Sequence, residues 1–230
     1  MPASPIKHPC PSIDPLLEDL NPAQRDAVTY PGHALLVLAG AGSGKTRVLT
    51  RRAAWLVRRG VSPGSILAIT FTRKATEELS ARLQGLLGSQ GKQVFASTFH
   101  AFGAWLLRQC APLVGREHSF SIFDAEDSEK AVNAILKERG LERSGPITEW
   151  IRRVKHQGNA GAEEWLTEIY EHYEKRLRTA NALDFDDLIR MAVHVLEEHP
   201  GLRRSMTERF RHVLVDEYQD LTSLEHRLVA

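Results

Sequence analysis

Cysteine is nearly absent from this sequence: Cys10 and Cys110 are the only two in 230 residues. They show no metal or redox spacing. That excludes a disulfide-built fold and a cysteine zinc site, and it fits a reducing, cytoplasmic setting. Long apolar runs are missing too, which excludes a membrane-spanning helix of about 20 residues. The N-terminus lacks the apolar centre of a signal peptide. The ten histidines have no ligand spacing, so no histidine-based metal site is expected. Net charge is close to nil at +1, which excludes a chain that is basic or acidic throughout.

What is present is a real core and an uneven charge. Hydrophobic residues make up 42% of the chain, enough for one large domain or two small ones. Between residues 40 and 97, ten Lys or Arg face only Glu77 and Glu78. Such an excess suits a polyanion such as nucleic acid. Part of it, Arg51, Arg52, Arg58 and Arg59, falls on one predicted helix and reads equally well as its solvated face.

Residues 34–40 (ALLVLAG) form a short apolar run that leads into small residues and then Lys45-Thr46. The pattern predicts strand, tight loop and helix. Gly40, Gly42 and Gly44 let the backbone turn sharply and bring N–H groups to phosphate oxygens. The helix that follows points its positive end at the same place. Ala39, Gly40, Ala41, Gly42, Ser43, Gly44, Lys45 and Thr46 are thus expected to hold a nucleotide. Lys45 would reach the β- and γ-phosphates and Thr46 would ligate Mg²⁺. Ala39 stands where the strict pattern has glycine.

Far downstream, residues 212–215 (HVLV) predict a buried parallel strand. Asp216 and Glu217 follow at its C-terminal end, where open α/β sheets bind ligands. Asp216 is the expected Mg²⁺ partner and Glu217 the expected general base toward water. Gln219 is placed to sense the γ-phosphate.

The rest of the chain divides by pattern. Residues 1–14 are Pro-rich and aperiodic and predict a disordered tail. Asn21 caps a helix with Pro22 at its first position. Strands are expected at 65–70 and 93–97, with a helix at 74–87 between them. This alternation predicts a parallel, doubly wound α/β sheet. From about residue 104 the period becomes helical: a helix capped by Asp124, then 165–177 and 188–196. The expected order is a first part of an α/β domain at 15–103, an inserted all-helical subdomain at 104–206, and a second, incomplete part at 207–230.

Six segments in order resemble the N-terminal portion of superfamily 1 DNA helicases of the UvrD/Rep/PcrA type. LNPAQRDAV (20–28) is similar to the family's Q motif and AGAGSGKT to its motif I. AITFTRKATEEL (68–79) resembles motif Ia, STFHAFG (97–103) motif Ib, and DEYQD motif II. ALDFDDL (182–188) matches a segment at the end of the family's inserted helical domain. The combination is far more specific than the loop alone. Arg73, where the family usually has Asn, and Leu221, where Thr more often follows, depart from the pattern.

The resemblance implies a RecA-like P-loop domain, ATP and Mg²⁺ as cofactors, and 3′→5′ translocation on single-stranded DNA and single/double-strand junctions. It implies that Gln24 reads adenine, and that Phe71, Thr98, His100 and Phe185 line a single-stranded DNA channel, where rings stack on bases. A cation at Arg73 suits a phosphate contact. The resemblance also implies a second RecA-like domain downstream of motif II, whose arginines complete the ATP site. The 230-residue chain is therefore expected to bind nucleotide weakly, turn it over slowly and not unwind DNA. Two alternatives remain open at this point: a non-enzymatic ATP- or DNA-binding fragment, and the helicase part of a RecB/AddA-like helicase–nuclease. The modest span from Gly103 to Asp216 speaks against the second.

Overall fold

Local capping rules set the first helix. The Asn21 side chain accepts the Gln24 N–H at 2.9 Å, and the Gln24 side chain accepts the Asn21 N–H at 3.0 Å. This reciprocal box, with Pro22 at the first position, starts α1 (Pro22–Thr29) as the sequence predicts. The structure is a computed structural model that describes residues 14–141, 145–157 and 163–230. Apart from Asp14, the tail predicted at 1–14 lies outside the described residues. The elements that follow are α2 (Lys45–Arg58), β1 (Ile66–Thr70), α3 (Arg73–Leu87), β2 (Phe95–Thr98), α4 (Phe99–Gln109), β3 (Ser121–Phe123) and α5 (Ala125–Glu138). Then come α6 (Gly145–Gln157), α7 (Glu164–Thr179), β4 (Ala182–Asp184), α8 (Phe185–Glu198), α9 (Pro200–Arg209), β5 (His212–Val215) and α10 (Ser223–Val229).

The chain forms two compact units. One holds the described residues up to Ala96 together with Phe210–Asp216. Its sheet runs in the order β2-β1-β5. β1 is buried along its whole length and pairs in parallel with β5, Ile66 opposite His212 and Ile69 opposite Val215. Its Ile66 and Ala68 meet Ala53, Leu56 and Val57 of α2 and Leu79 and Leu83 of α3 in one core cluster. The mixed α/β class with a parallel strand pair agrees with the sequence pattern.

Three expectations need correction in this unit. Residues 34–40 form no strand, and Leu36 and Leu38 are 61% and 86% exposed. Apolarity alone does not make a strand. Backbone N–H and C=O groups need a ladder, and among the described residues this run joins neither sheet. β5 is parallel as expected but only partly buried, with Val213 exposed. β2 also begins two residues later than predicted, because residues 88–93 wind into a 3₁₀ turn.

The other unit comprises Ser97–Arg209 and Glu217–Ala230. It is mostly helical. The stretch expected to be all helical also contains a two-stranded parallel sheet, with Ser121 opposite Ala182 and Phe123 opposite Asp184. Three-residue strands are too short to register as period-two alternation. Its core gathers Val132, Ile135 and Leu136 of α5 with Ile169, Tyr173 and Leu177 of α7. The predicted helical faces are therefore packed faces, and Tyr173 is a core residue. α4 lies so close to α8 that a Cβ on Gly103 would stand 2.5 Å from the Leu188 carbonyl oxygen. No helix among the described residues is long and apolar enough to cross a membrane.

Candidate functional site

The glycine loop has the geometry its sequence requires. Gly42 and Gly44 have φ of 74° and 88°, in the left-handed region that glycine enters without strain. Ser43 Oγ donates to the Gly40 carbonyl at 2.7 Å and closes the turn. α2 starts at Gly44 with no side-chain cap, so its first N–H groups are available to an anion. Lys45 Nζ folds back onto the carbonyls of Ala39 and Gly40, at 3.2 and 3.4 Å. Gln24 reaches the same loop, with Nε2 donating to the Ser43 carbonyl at 2.9 Å. Gln24 thus both caps α1 and ties it to the loop.

Asp216 comes to this loop from the far end of the sequence. Its N–H donates to the Ile69 carbonyl at 2.9 Å and continues the β1–β5 ladder. Its buried carboxylate accepts the Thr46 hydroxyl at 2.8 Å. A hydroxyl and a carboxylate side by side offer the hard oxygen donors that suit Mg²⁺ with a phosphate, which needs only one or two carboxylates. Glu217, the next residue, has φ 50° and ψ 46°, a left-handed conformation that a non-glycine residue adopts at a cost of order 1–3 kcal/mol. Gln219 Nε2 donates to Glu217 Oε2 at 2.7 Å. The residue expected to sense phosphate therefore contacts the expected base.

The expected DNA-contact residues fall in both units. In the first unit Phe71 directly follows β1 and is exposed, and Arg73 opens α3, where Thr72 caps the helix by accepting the Ala75 N–H. In the second unit Thr98 caps α4 through the Ala101 N–H, so its hydroxyl has a local structural task. His100 and Phe185 come together edge to face, with ring centroids 5.7 Å apart. Burial pushes the His100 imidazole below its ordinary value, against the opposing pull of Glu225 and Asp186.

The basic residues of α2 are largely engaged in contacts within their own unit rather than forming a solvated face. Arg47 and Arg51 pair with Asp19, Arg58 pairs with Asp14, and Arg52 donates to the Val28 carbonyl. These arginines hold the segment before α1 and α1 itself against α2. Sequence reasoning missed a buried ionic cluster in the second unit, around Lys155, Asp184 and Asp187. The D-x-x-D spacing at Asp184 and Asp187 was a visible helix-capping signal, but Lys155 gave none.

Glycine loop, uncapped helix start and strand-end carboxylate together define a P-loop α/β protein. Comparison with known proteins narrows this class. The model of the UvrD/REP helicase N-terminal domain matches residues 20–230, and the chain belongs to that family. It is 45% identical to ATP-dependent DNA helicase UvrD1 of Mycobacterium tuberculosis, over 99% of this chain and 32% of that protein. It is 42% identical to the UvrD1 of Mycobacterium leprae, over 94% of this chain and 30% of the relative. It is 35% identical to ATP-dependent DNA helicase PcrA of Staphylococcus aureus, over 94% of this chain and 32% of the relative. The chain thus spans about a third of the length of these relatives.

Proposed function

We propose that this chain is the nucleotide- and DNA-binding N-terminal region of an ATP-dependent helicase that moves 3′→5′ on single-stranded DNA and acts at single/double-strand junctions. Residues 15–103 and 207–230 belong to a RecA-like domain, and 104–206 to a subdomain inserted in it. The observation that carries the reading is the Thr46–Asp216 hydrogen bond, which joins residues 170 positions apart at the mouth of the loop. The names of the relatives, all ATP-dependent DNA helicases, support it.

The chemistry follows from the residues. Loop N–H groups and Lys45 bind the β- and γ-phosphates, Lys45 exchanging the Ala39 and Gly40 carbonyls for phosphate oxygens. Thr46 and Asp216 would hold Mg²⁺, which would supply charge neutralisation for the phosphates. Glu217 takes a proton from the attacking water. Gln219, hydrogen-bonded to its carboxylate, fixes the orientation of that base. Gln24 reads the adenine edge, exchanging its bonds to the Asn21 N–H and the Ser43 carbonyl for the base. Phe71, Arg73, Thr98, His100 and Phe185 engage the DNA strand through stacking and phosphate contacts.

The DNA half of this reading is tested by anisotropy of labelled oligonucleotides. The chain is expected to prefer single-stranded over duplex DNA, with Phe71→Ala and Phe185→Ala each weakening binding roughly five- to hundredfold. Equal affinity for the two forms, unmoved by either substitution, would sink it.

A further inference from the structure

Three side chains of α6 converge on the turn that presents Phe185. Arg152, Lys155 and His156 are spaced to share one helix face. Lys155 is the centre: its side chain is fully buried. Nζ donates to Asp184 Oδ2 at 2.6 Å and stands at ion-pair distance from Asp187 (2.9 Å) and Glu174 (3.0 Å). Asp184 Oδ1 accepts the Asp187 N–H at 3.0 Å and so caps α8, while Oδ2 also accepts the Tyr173 hydroxyl at 2.9 Å. Arg190 donates to Asp187 Oδ1 at 2.7 Å. Beside Lys155, Arg152 Nε and His156 Nε2 lie 3.5 and 2.9 Å from Asp186 Oδ1. All three carboxylates in the run 184–187 are thus held from α6. The remaining residue, Phe185, stays 40% exposed with its ring against His100.

Burial alone would lower the Lys155 value, but Asp187, Asp184 and Glu174 outweigh it and keep the ammonium charged. A buried ionic cluster of this kind is a poor way to gain stability, since apolar side chains of similar volume often hold two helices together as well. What it adds is a fixed geometry. Each of the three short contacts to Nζ ties a different point (the C-terminal half of α7, the end of β4, the first turn of α8) to one atom.

We propose that Lys155 is a positioning residue for DNA: it locks the turn at 184–187 so that Phe185, braced by His100, presents a fixed face to a base of the single strand. This rests on the reading of Phe185 as a DNA contact. Lys155 itself touches no DNA.

The test uses the full chain and single-stranded DNA carrying 2-aminopurine, whose fluorescence drops when the base stacks on an aromatic ring. Phe185→Ala should weaken binding roughly five- to hundredfold, the range of one base–aromatic stack, and relieve the quenching. Lys155→Met should do the same to both readouts, and should add nothing on the Phe185→Ala background. Tyr173→Phe, which removes one hydrogen bond and leaves the ion cluster, should shift both in the same direction by a smaller factor. Full additivity of Lys155→Met and Phe185→Ala would overturn the proposal, as would a folded Lys155→Met protein with unchanged affinity and quenching. If Lys155→Met does not fold, Tyr173→Phe decides: unchanged affinity and quenching there overturn it. Phe185→Ala without effect would instead remove the DNA reading beneath it.

Discussion

Thr46 and Asp216 show at the scale of single residues why the loop needs its distant partner. The Asp216 carboxylate is buried and accepts a hydrogen bond from Thr46. Thr46→Val keeps the shape but leaves that carboxylate without the hydroxyl. Mg²⁺-dependent nucleotide affinity should fall roughly tenfold or more, the range for a hydrogen bond to a charged group. Equilibrium dialysis with and without Mg²⁺ would show it, and equal loss in both conditions would contradict the metal role. His100 supports a second prediction. Its folded value lies below the ordinary imidazole value of 6.5, so the unfolded chain binds more protons between the two. Its contribution therefore lowers stability as pH falls from 6.5 toward the folded value, and has no effect above 6.5. Glu225, Asp186 and Arg152 are the charged groups that act on this ring. His100→Gln should make the drop in Tm between pH 7.5 and 5.5 smaller than in the parent chain; an unchanged or larger drop would count against it.

At the scale of elements, what was legible was what is local. Asn21-Pro22, Asp124 and the glycines of the loop fix their conformations through neighbours a few residues away, and each element began where its sequence said. The run at 34–40 was misread for the opposite reason. Its apolarity is local, but a strand is made by a partner, and none of the described strands takes that place. Lys155 was illegible for the same reason: its three carboxylates come from α7, β4 and α8, and only the folded chain brings them to one atom. Gly103 lies between these cases. It reads as part of a motif, yet its cause is the close approach of α4 to α8. Gly103→Ala puts a methyl 2.5 Å from the Leu188 carbonyl, a contact that must be relieved by moving backbone. The expected loss is about 1–3 kcal/mol, the usual cost of overpacking. Urea denaturation would measure it, and a stability equal to the parent's would show that the two helices can separate freely.

Two features of the first unit govern the behaviour of the whole molecule. One is the exposed apolar run Leu35, Leu36, Val37 and Leu38 beside the glycine loop. A contiguous apolar patch drives association, so Leu36→Lys with Leu38→Lys should reduce self-association of the chain in static light scattering. A parent chain that stays monomeric at high concentration would contradict this. The other is the junction of the loop with the end of β5, which is the centre of the functional account. The most direct measurement is the binding of Mg·ATP to the folded chain by calorimetry, with Lys45→Ala beside it. Saturable, Mg²⁺-dependent binding is expected, and Lys45→Ala should abolish it or weaken it by a large factor. Binding indifferent to Lys45, or no binding by a chain shown to be folded, would contradict it.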